Sequence, residues 1–373
     1  MKVIFACAGT GGHVNPAIAI ANTIMQKEPD SCLLFIGTKT GLENTLVKKA
    51  GYDIAHISTG KIIRSFTFKN ITALVKTYKG IGEARKIVKE FAPDIVIGTG
   101  GYICGPVMLA ARKLKIPYVL HESNAFPGVA VKLLAKHASK MLIGFEDAKN
   151  RLKYKNNILY TGNPTKFTQQ GIQQLKVATC KQELGLQAIT KKIVLVMCGS
   201  QGARKINQVV LDMVAKYKSK DFYVILATGD KNYSEVLERK QELEQQVGQK
   251  LDDYLKIEKY IYEMDKMYKV ASMCITRAGA MTVTELSIAA KPAILIPLPS
   301  AAENHQLYNA KVLEKAGAGK VMEEKDLNED TLFENIQNMI PDATLEKMGQ
   351  QAGTLVVREV EEKIYQCIKD IVK

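Results

Sequence analysis

Two stretches of this chain repeat one plan: an apolar run, a glycine-rich loop, and an amphipathic helix directly after it. The first reads KVIFACA, then GTGGHV, then a helix whose apolar residues Ala17, Ile20, Ala21, Ile24 and Met25 fall at i, i+3, i+4, i+7 and i+8. The second reads KIVLVM, CGSQGA and RKINQVVLDMVAKY, with Ile206, Val209, Val210, Met213, Val214 and Tyr217 on one face. A wholly apolar strand is buried on both faces, and a helix that follows it returns the chain to a parallel neighbour. Further strands are predicted at CLLFIG, DIVIGTGG, PYVLHES, MLIGF and ILYTGNP in the first half, and at FYVILATG, LKIEKYI, MCITRAG and PAILIPL in the second. The expected class is therefore α/β, two doubly wound Rossmann-like domains facing across a cleft. Such sheets bind ligands beyond the carboxyl ends of their strands.

The turn Thr161-Gly-Asn-Pro164 marks the boundary, giving domains at 1–163 and 164–341. A C-terminal helix at about 342–373 is expected to pack back on the first domain, with Val360, Ile364, Ile368 and Ile371 inward. The charged stretch from Lys231 to Lys256 reads as a solvated helix. Asn15-Pro16 predicts a helix start, an N-cap followed by proline at the first helical position.

Neither common nucleotide loop is present. Counting GxGxxG from Gly9 gives Gly9, Gly11 and then Val14, and no GxxxxGK string occurs. The second strand ends Phe35-Ile-Gly-Thr38, without the acid that a dinucleotide ribose requires. Four glycine-bearing loops nevertheless sit at strand ends: Gly9-Thr-Gly-Gly12, Gly98-Thr-Gly-Gly101, Gly199-Ser-Gln-Gly202 and Ala278-Gly-Ala280. Each alone is equally consistent with a tight turn that needs glycine for steric reasons. Four at matching places point to phosphate, which backbone N–H groups at a helix start can hold.

Three of the five histidines, His13, His121 and His305, lie in strand-end loops. His13 stands between a glycine loop and a helix, where an imidazole with a pKa near ~6.5 can accept a proton from a hydroxyl. In RAGAMTVTE the helix is expected to begin near Thr282, with Glu285 in its first turn. Such a carboxylate is either a helix-dipole partner or a bidentate acceptor for ribose hydroxyls. No Asp-x-Asp string and no cluster with ligand spacing suggests a metal, so a leaving phosphate would rest on backbone amides, Ser200 and cations.

Charge separates the halves. The net charge is +14, and residues 1–165 carry 23 Lys and Arg against 10 Asp and Glu, while the remainder is nearly balanced. A one-sided basic surface suits an anionic partner, nucleic acid or a membrane face, and no nucleic-acid-reading motif is present. No apolar run approaches the roughly 20 residues of a membrane span. The opening Met1-Lys2 leads directly into a strand, with nothing resembling an export signal, and seven cysteines without CxxC spacing read as free thiols; a cytoplasmic location is expected.

Taken in order, GTGGHVNPAIAIA, GTGGYICGPVMLAA, HESNAFPG, TGNP, GSQGARKIN, RAGAMTVTE and ENHQLYNA resemble the MurG family of undecaprenyldiphospho-muramoylpentapeptide N-acetylglucosaminyltransferases. The resemblance runs from about residue 3 to residue 320. It implies a GT-B fold and inverting transfer of GlcNAc from UDP-GlcNAc to the 4-hydroxyl of MurNAc in lipid I, giving lipid II, with no cofactor. It implies UDP-GlcNAc, undecaprenyl-linked lipid I and the anionic inner leaflet as partners, and a peripheral place on the cytoplasmic membrane face. By motif, Thr10, Gly11 and Gly12 would line the donor phosphate and sugar, with His13 as base and Glu122 and His121 as further catalytic candidates. Tyr102, Gly100 and Gly101 resemble acceptor-side residues, and Asn124 would also reach the donor sugar. Ser200 and Gln201 match the second phosphate loop, and Ile261 the residue whose backbone reads uracil. Ala280, Met281, Thr282, Val283, Thr284 and Glu285 match the segment around the nucleotide, and His305 and Gln306 the pair facing the GlcNAc hydroxyls. Thr165-Lys166 stands where the family usually has Val-Arg; Lys166 keeps the charge and loses the bidentate fork. Ser123 replaces a common glutamine, and Val131 a common asparagine.

Rival readings are a related enzyme acting on diacylglycerol, which shares the donor half, and a UDP-sugar-binding subunit without turnover. The membrane segment is expected at Lys61 to Lys69, with Ile62, Ile63, Phe66 and Phe68 beside Arg64 and Lys69. The face that follows, Ile71, Leu74, Val75 and Tyr78, is expected to be core.

Overall fold

The computed structural model describes residues 1–60, 68–199, 202–219 and 221–373, with side chains omitted for 68–74. Residues 61–67 of the expected membrane segment Lys61–Lys69, together with Ser200 and Gln201, lie outside the described residues. The remainder divides into two compact units, Met1–Lys166 with Val357–Lys373, and Phe167–Val356.

The first unit holds strands β1 (Lys2–Cys7), β2 (Cys32–Gly37), β3 (Asp53–His56), β4 (Ile95–Gly100), β5 (Tyr118–Glu122), β6 (Lys140–Ile143) and β7 (Ile158–Tyr160). They pair in parallel in the order β3-β2-β1-β4-β5-β6-β7. The second unit holds β8 (Lys192–Met197), β9 (Phe222–Ala227), β10 (Leu255–Glu258), β11 (Met273–Thr276), β12 (Ala293–Leu295) and β13 (Gly319–Val321), again parallel, in the order β10-β9-β8-β11-β12-β13. Both orders reverse direction beside the strand that opens the repeat, between β1 and β4 and between β8 and β11. In a doubly wound sheet that reversal opens the ligand crevice, because the two connections leave in opposite directions. All four glycine loops follow these four strands. The short edge strands β3 and β13 are additions to the sequence reading.

The last helix is Val360–Val372, and it buries Val360, Ile364, Cys367 and Ile368 against the first unit beside Ile20 and Ile24. Its Lys369 and Tyr365 both bond to Glu28, which also accepts from the Met1 amino group; Lys369 leads in holding that carboxyl at about 2. The helix before it, Asp342–Thr354, belongs to the second unit, so the expected 342–373 segment is split between the two. The division itself falls after Lys166.

Two helix expectations need correction. The first helix is Gly11–Lys27, capped at Thr10, so Asn15-Pro16 lies inside it rather than at its start. Proline there removes the N–H that would take the Gly12 carbonyl, and the Ser123 hydroxyl approaches that oxygen at 3.5 Å instead. In the helix Phe68–Phe91, Val75 and Tyr78 are 64% and 80% exposed, not core. This helix buries Ala84 and Val88, one and two turns beyond Gly80. A Cβ on Gly80 would lie 2.0 Å from the Ser58 carbonyl oxygen, so glycine is what permits the close approach on that side.

Candidate functional site

In the first unit the two glycine loops interlock through His13. Pairing between β1 and β4 slips one residue after Ala6, so that Cys7 faces Gly100, and the bulge throws Thr99 out of register. The Thr99 hydroxyl donates to the His13 carbonyl at 2.7 Å. The imidazole lies on the bare Cα of Gly100, where a methyl would sit 2.4 Å from Cδ2. His13 Nδ1 donates to the Ala8 carbonyl at 3.1 Å; because a carbonyl only accepts, Nδ1 carries a proton, and in the neutral form of the ring the acceptor lone pair is on Nε2. That tautomer is the one a base requires.

Gly9 has φ +101 and needs glycine for its backbone. Gly11 and Gly12 do not: a Cβ on either would make ordinary contacts at 3.5 and 3.6 Å. They open the helix Gly11–Lys27, where first-turn N–H groups lack intrahelical acceptors, so the missing side chains bare a donor surface instead of relieving strain.

Glu43, which none of the motifs marks, anchors the Gly9 loop. It is fully buried and accepts from Gly9 N at 3.2 Å, Thr38 N at 2.8 Å and Thr38 Oγ1 at 2.6 Å. Burial pushes its carboxyl upward, and these hydrogen bonds outweigh the burial and hold it below the ordinary value. A Cβ at Gly41 would fall 2.1 Å from its oxygens, so the Gly41-x-Glu43 spacing was the available signal.

His121 and Glu122 are built into the loop after β5. His121 is wholly buried; Nε2 meets the Gly162 carbonyl at 3.3 Å and Nδ1 the Ser123 hydroxyl at 3.4 Å. Burial pulls its pKa down to about 4, against the opposing Gly162 carbonyl, so the ring is neutral at working pH. Glu122 accepts at 2.9 Å from Asn124 N and Nδ2 through one oxygen and from Gly128 N through the other. Both shape the Ser123–Gly128 turn and place Asn124, half-buried, at its rim. Gly101, at φ +84, has its Cα against the Ala8 carbonyl, and Tyr102 beside it is 39% exposed. Lys166 is exposed at the end of the unit.

In the second unit, Gly199 and Gly202 both have positive φ, and Gly202 lies where a Cβ would collide with the Thr228 carbonyl at 1.8 Å. The helix Arg204–Tyr217 follows. The helix after β11 is Ala280–Ile288, capped at Gly279 with Val283 N bonded to Gly279 O at 3.0 Å. It therefore starts two residues earlier than expected, and Glu285 falls in its second turn, beyond the reach of a first-turn dipole effect. Ala280 and Val283 are buried, while Met281, Thr282, Thr284 and Glu285 are half-buried. Thr284 bonds back to the Ala280 carbonyl at 3.0 Å. Ile261 is buried between the exposed Tyr260 and Tyr262.

His305 and Gln306 start the helix His305–Lys315 after two consecutive non-glycine residues with positive φ, Glu303 and Asn304. Strain of this kind persists only where the surroundings over-determine it, and it concentrates at ligand clamps. Gln306 Oε1 accepts from Leu298 N at 3.0 Å, and His305 Nδ1 donates to the Ala302 carbonyl at 2.7 Å. Arg277 ties the ends of β11 and β12 together through the Ile296 and Pro297 carbonyls, both at 3.2 Å, and pairs with Glu324. Among the described residues no group of three or more His, Cys, Asp or Glu is placed to hold a metal ion.

Comparison with known proteins gives this arrangement relatives. The glycosyltransferase family 28 N-terminal domain matches residues 3–143 and the family 28 C-terminal domain residues 193–364. The UDP-N-acetylglucosamine–N-acetylmuramyl-(pentapeptide) pyrophosphoryl-undecaprenol N-acetylglucosamine transferase of Acetivibrio thermocellus is 39% identical, over 100% of this chain and 99% of its own. The enzyme of the same name from Caldanaerobacter subterraneus subsp. tengcongensis is 39% identical over 100% of both chains. The crystal structure of Acinetobacter baumannii MurG superposes with a TM-score of 0.77 at 27% identity, covering 99% of each chain. Two parallel-sheet α/β units with these neighbours bear out the expected GT-B class. With such identity sustained from end to end, the chain belongs to glycosyltransferase family 28 and, within it, to the MurG family.

Proposed function

We infer that this protein transfers GlcNAc from UDP-GlcNAc to the 4-hydroxyl of MurNAc in undecaprenyl-linked lipid I, with inversion, giving lipid II for peptidoglycan synthesis. The full-length match to enzymes named for this transfer carries the reading. We assign the acceptor to the first unit and the UDP-sugar to the second. His13 Nε2 takes the proton of the 4-hydroxyl; its oxygen forms the bond to C1 of GlcNAc as the bond from C1 to the phosphate oxygen breaks, and UDP leaves with that electron pair. The Nδ1 bond to Ala8 supports this role for His13 by fixing the tautomer. Thr10, Gly11 and Gly12 in the first unit and Gly199 in the second offer amides to the phosphates, and Glu285 takes the ribose hydroxyls. Glu122 and His121 act by shaping the turn that presents Asn124.

We also place the first unit against an anionic leaflet. Support comes from its excess of Lys and Arg and from Val75 and Tyr78, exposed one turn apart beside Lys76 and Lys79 on the helix Phe68–Phe91. Among the described residues no helix is long and apolar enough to cross a membrane. Transfer of radiolabel from UDP-GlcNAc to a lipid I analogue is the decisive assay; folded protein that yields no disaccharide product overturns the assignment.

A further inference from the structure

Tyr268 is among the largest side chains wholly withdrawn from solvent, and it lies on the short helix Met264–Val270, which starts three residues after Ile261. Its ring meets Phe167 edge-on at 6.1 Å between centroids. Its hydroxyl is the polar end of an otherwise apolar burial, and such a group needs a partner. That partner is Glu285 Oε2 at 3.0 Å, with Met197 Sδ farther off at 3.9 Å. Burial, aided by the Glu285 charge, keeps the phenol protonated far above working pH, so it always donates. A carboxylate offers about four lone-pair sites. A charge-assisted bond to one of them fixes the rotamer in which the rest are presented. The donor comes from the helix that also carries the chain away from Ile261, so one rigid element joins the segment assigned to uracil and the carboxylate assigned to ribose.

We propose that Tyr268 is a positioning residue that holds Glu285 toward the ribose diol and thereby sets the preference for ribonucleotide over 2′-deoxyribonucleotide donors. The proposal rests on the assignment of Glu285 to the ribose, and the test separates the two. Calorimetry measures UDP and 2′-deoxy-UDP binding to the parent, Tyr268→Phe, Glu285→Gln and the double variant. Phenylalanine keeps the ring and its edge contact, and the thermal midpoint checks that the fold is retained. Tyr268→Phe is expected to weaken UDP about tenfold and 2′-deoxy-UDP less than about twofold, as loss of one charge-assisted bond implies. The double variant is expected to match Glu285→Gln alone, because Tyr268 acts through that carboxylate. If Glu285→Gln loses the preference and Tyr268→Phe keeps it, the proposal is overturned and the ribose assignment stands. If Glu285→Gln keeps the preference, the ribose assignment fails and the proposal with it. Equal weakening of both nucleotides by Tyr268→Phe, or additive losses in the double variant, make Tyr268 a packing residue and also overturn it.

Discussion

Gly100 gives the sharpest test of how the first unit is built, because the side chain it lacks would occupy the space of the His13 ring. An alanine methyl there would sit 2.4 Å from His13 Cδ2 and 2.9 Å from Nε2, where ordinary contact begins at 3.4 Å. The ring must withdraw by about 1 Å, a displacement that typically costs about a hundredfold in rate when it befalls a reacting group. The backbone adds its own cost: φ at Gly100 is +123, and a non-glycine residue held in such a region costs about 1–3 kcal/mol. With overpacking of about 1–3 kcal/mol, the variant loses about 2–6 kcal/mol, which a total near the middle of the typical range of about 5–15 kcal/mol withstands at room temperature. Gly100→Ala is therefore expected to combine a lowered urea midpoint with a turnover loss of about a hundredfold on a water-soluble acceptor, while UDP binding is preserved. Gly101→Ala is the contrast: its methyl would meet the Ala8 carbonyl oxygen at 2.3 Å, and backbone cannot swing aside. That variant is expected to lose stability more than selective activity. Folded Gly100→Ala protein that turns over within about threefold of the parent would refute the reasoning, since the ring would then not need the position that the glycine provides.

Three further outcomes are expected. His13→Ala should lower turnover by about 10²–10⁴ with UDP affinity nearly unchanged, read by single-turnover kinetics beside calorimetry; turnover within about threefold of the parent would move the base elsewhere. His121 titrates near 6.5 when unfolded and about 4 when folded, so its contribution is complete above 6.5 and is lost as pH falls toward 4, a span worth about 3 kcal/mol. Urea midpoints should accordingly fall more steeply across that window in the parent than in His121→Gln, and parallel profiles would remove His121 as the cause. Val75→Ser with Tyr78→Ser should reduce sedimentation with anionic liposomes, and added salt should reduce it further, while activity on a soluble acceptor persists; unchanged sedimentation at low salt would place the membrane contact elsewhere.

The interior strands and the first turn of each repeat were legible because an apolar run between glycine loops has few ways to fold. What escaped depended on partners distant in sequence. β3 and β13 are edge strands of four and three residues, too short for a period to show. Asn15-Pro16 imitates a helix start, but the glycines ahead of it are already helical, and Ser123, more than a hundred residues away, approaches the carbonyl that proline orphans. Val75 and Tyr78 carry helical spacing on a surface where the buried side is set by Ala84 and Val88. At the candidate site, the motif strings single out His13 and Glu285, and neither string contains Glu43 or Tyr268. The Gly9 loop hangs on Glu43, and Glu285 on Tyr268, each contributed by a separate element.

The first unit is interrupted in the chain, and this matters while the protein is being made. Its last helix, Val360–Val372, closes over Ile20 and Ile24, yet the 190 residues of Phe167–Val356 lie between Lys166 and that segment. At about 5–20 residues per second, a ribosome needs roughly 10–40 s to cross that interval. Throughout it, the nascent first unit has its sheet and its glycine loops but lacks the helix that seals one apolar face. Final consolidation of the amino-terminal half thus waits for the carboxyl-terminal residues to emerge, and a ribosome that stalls within the second unit leaves behind a chain with an open hydrophobic seam for chaperones or proteases to find.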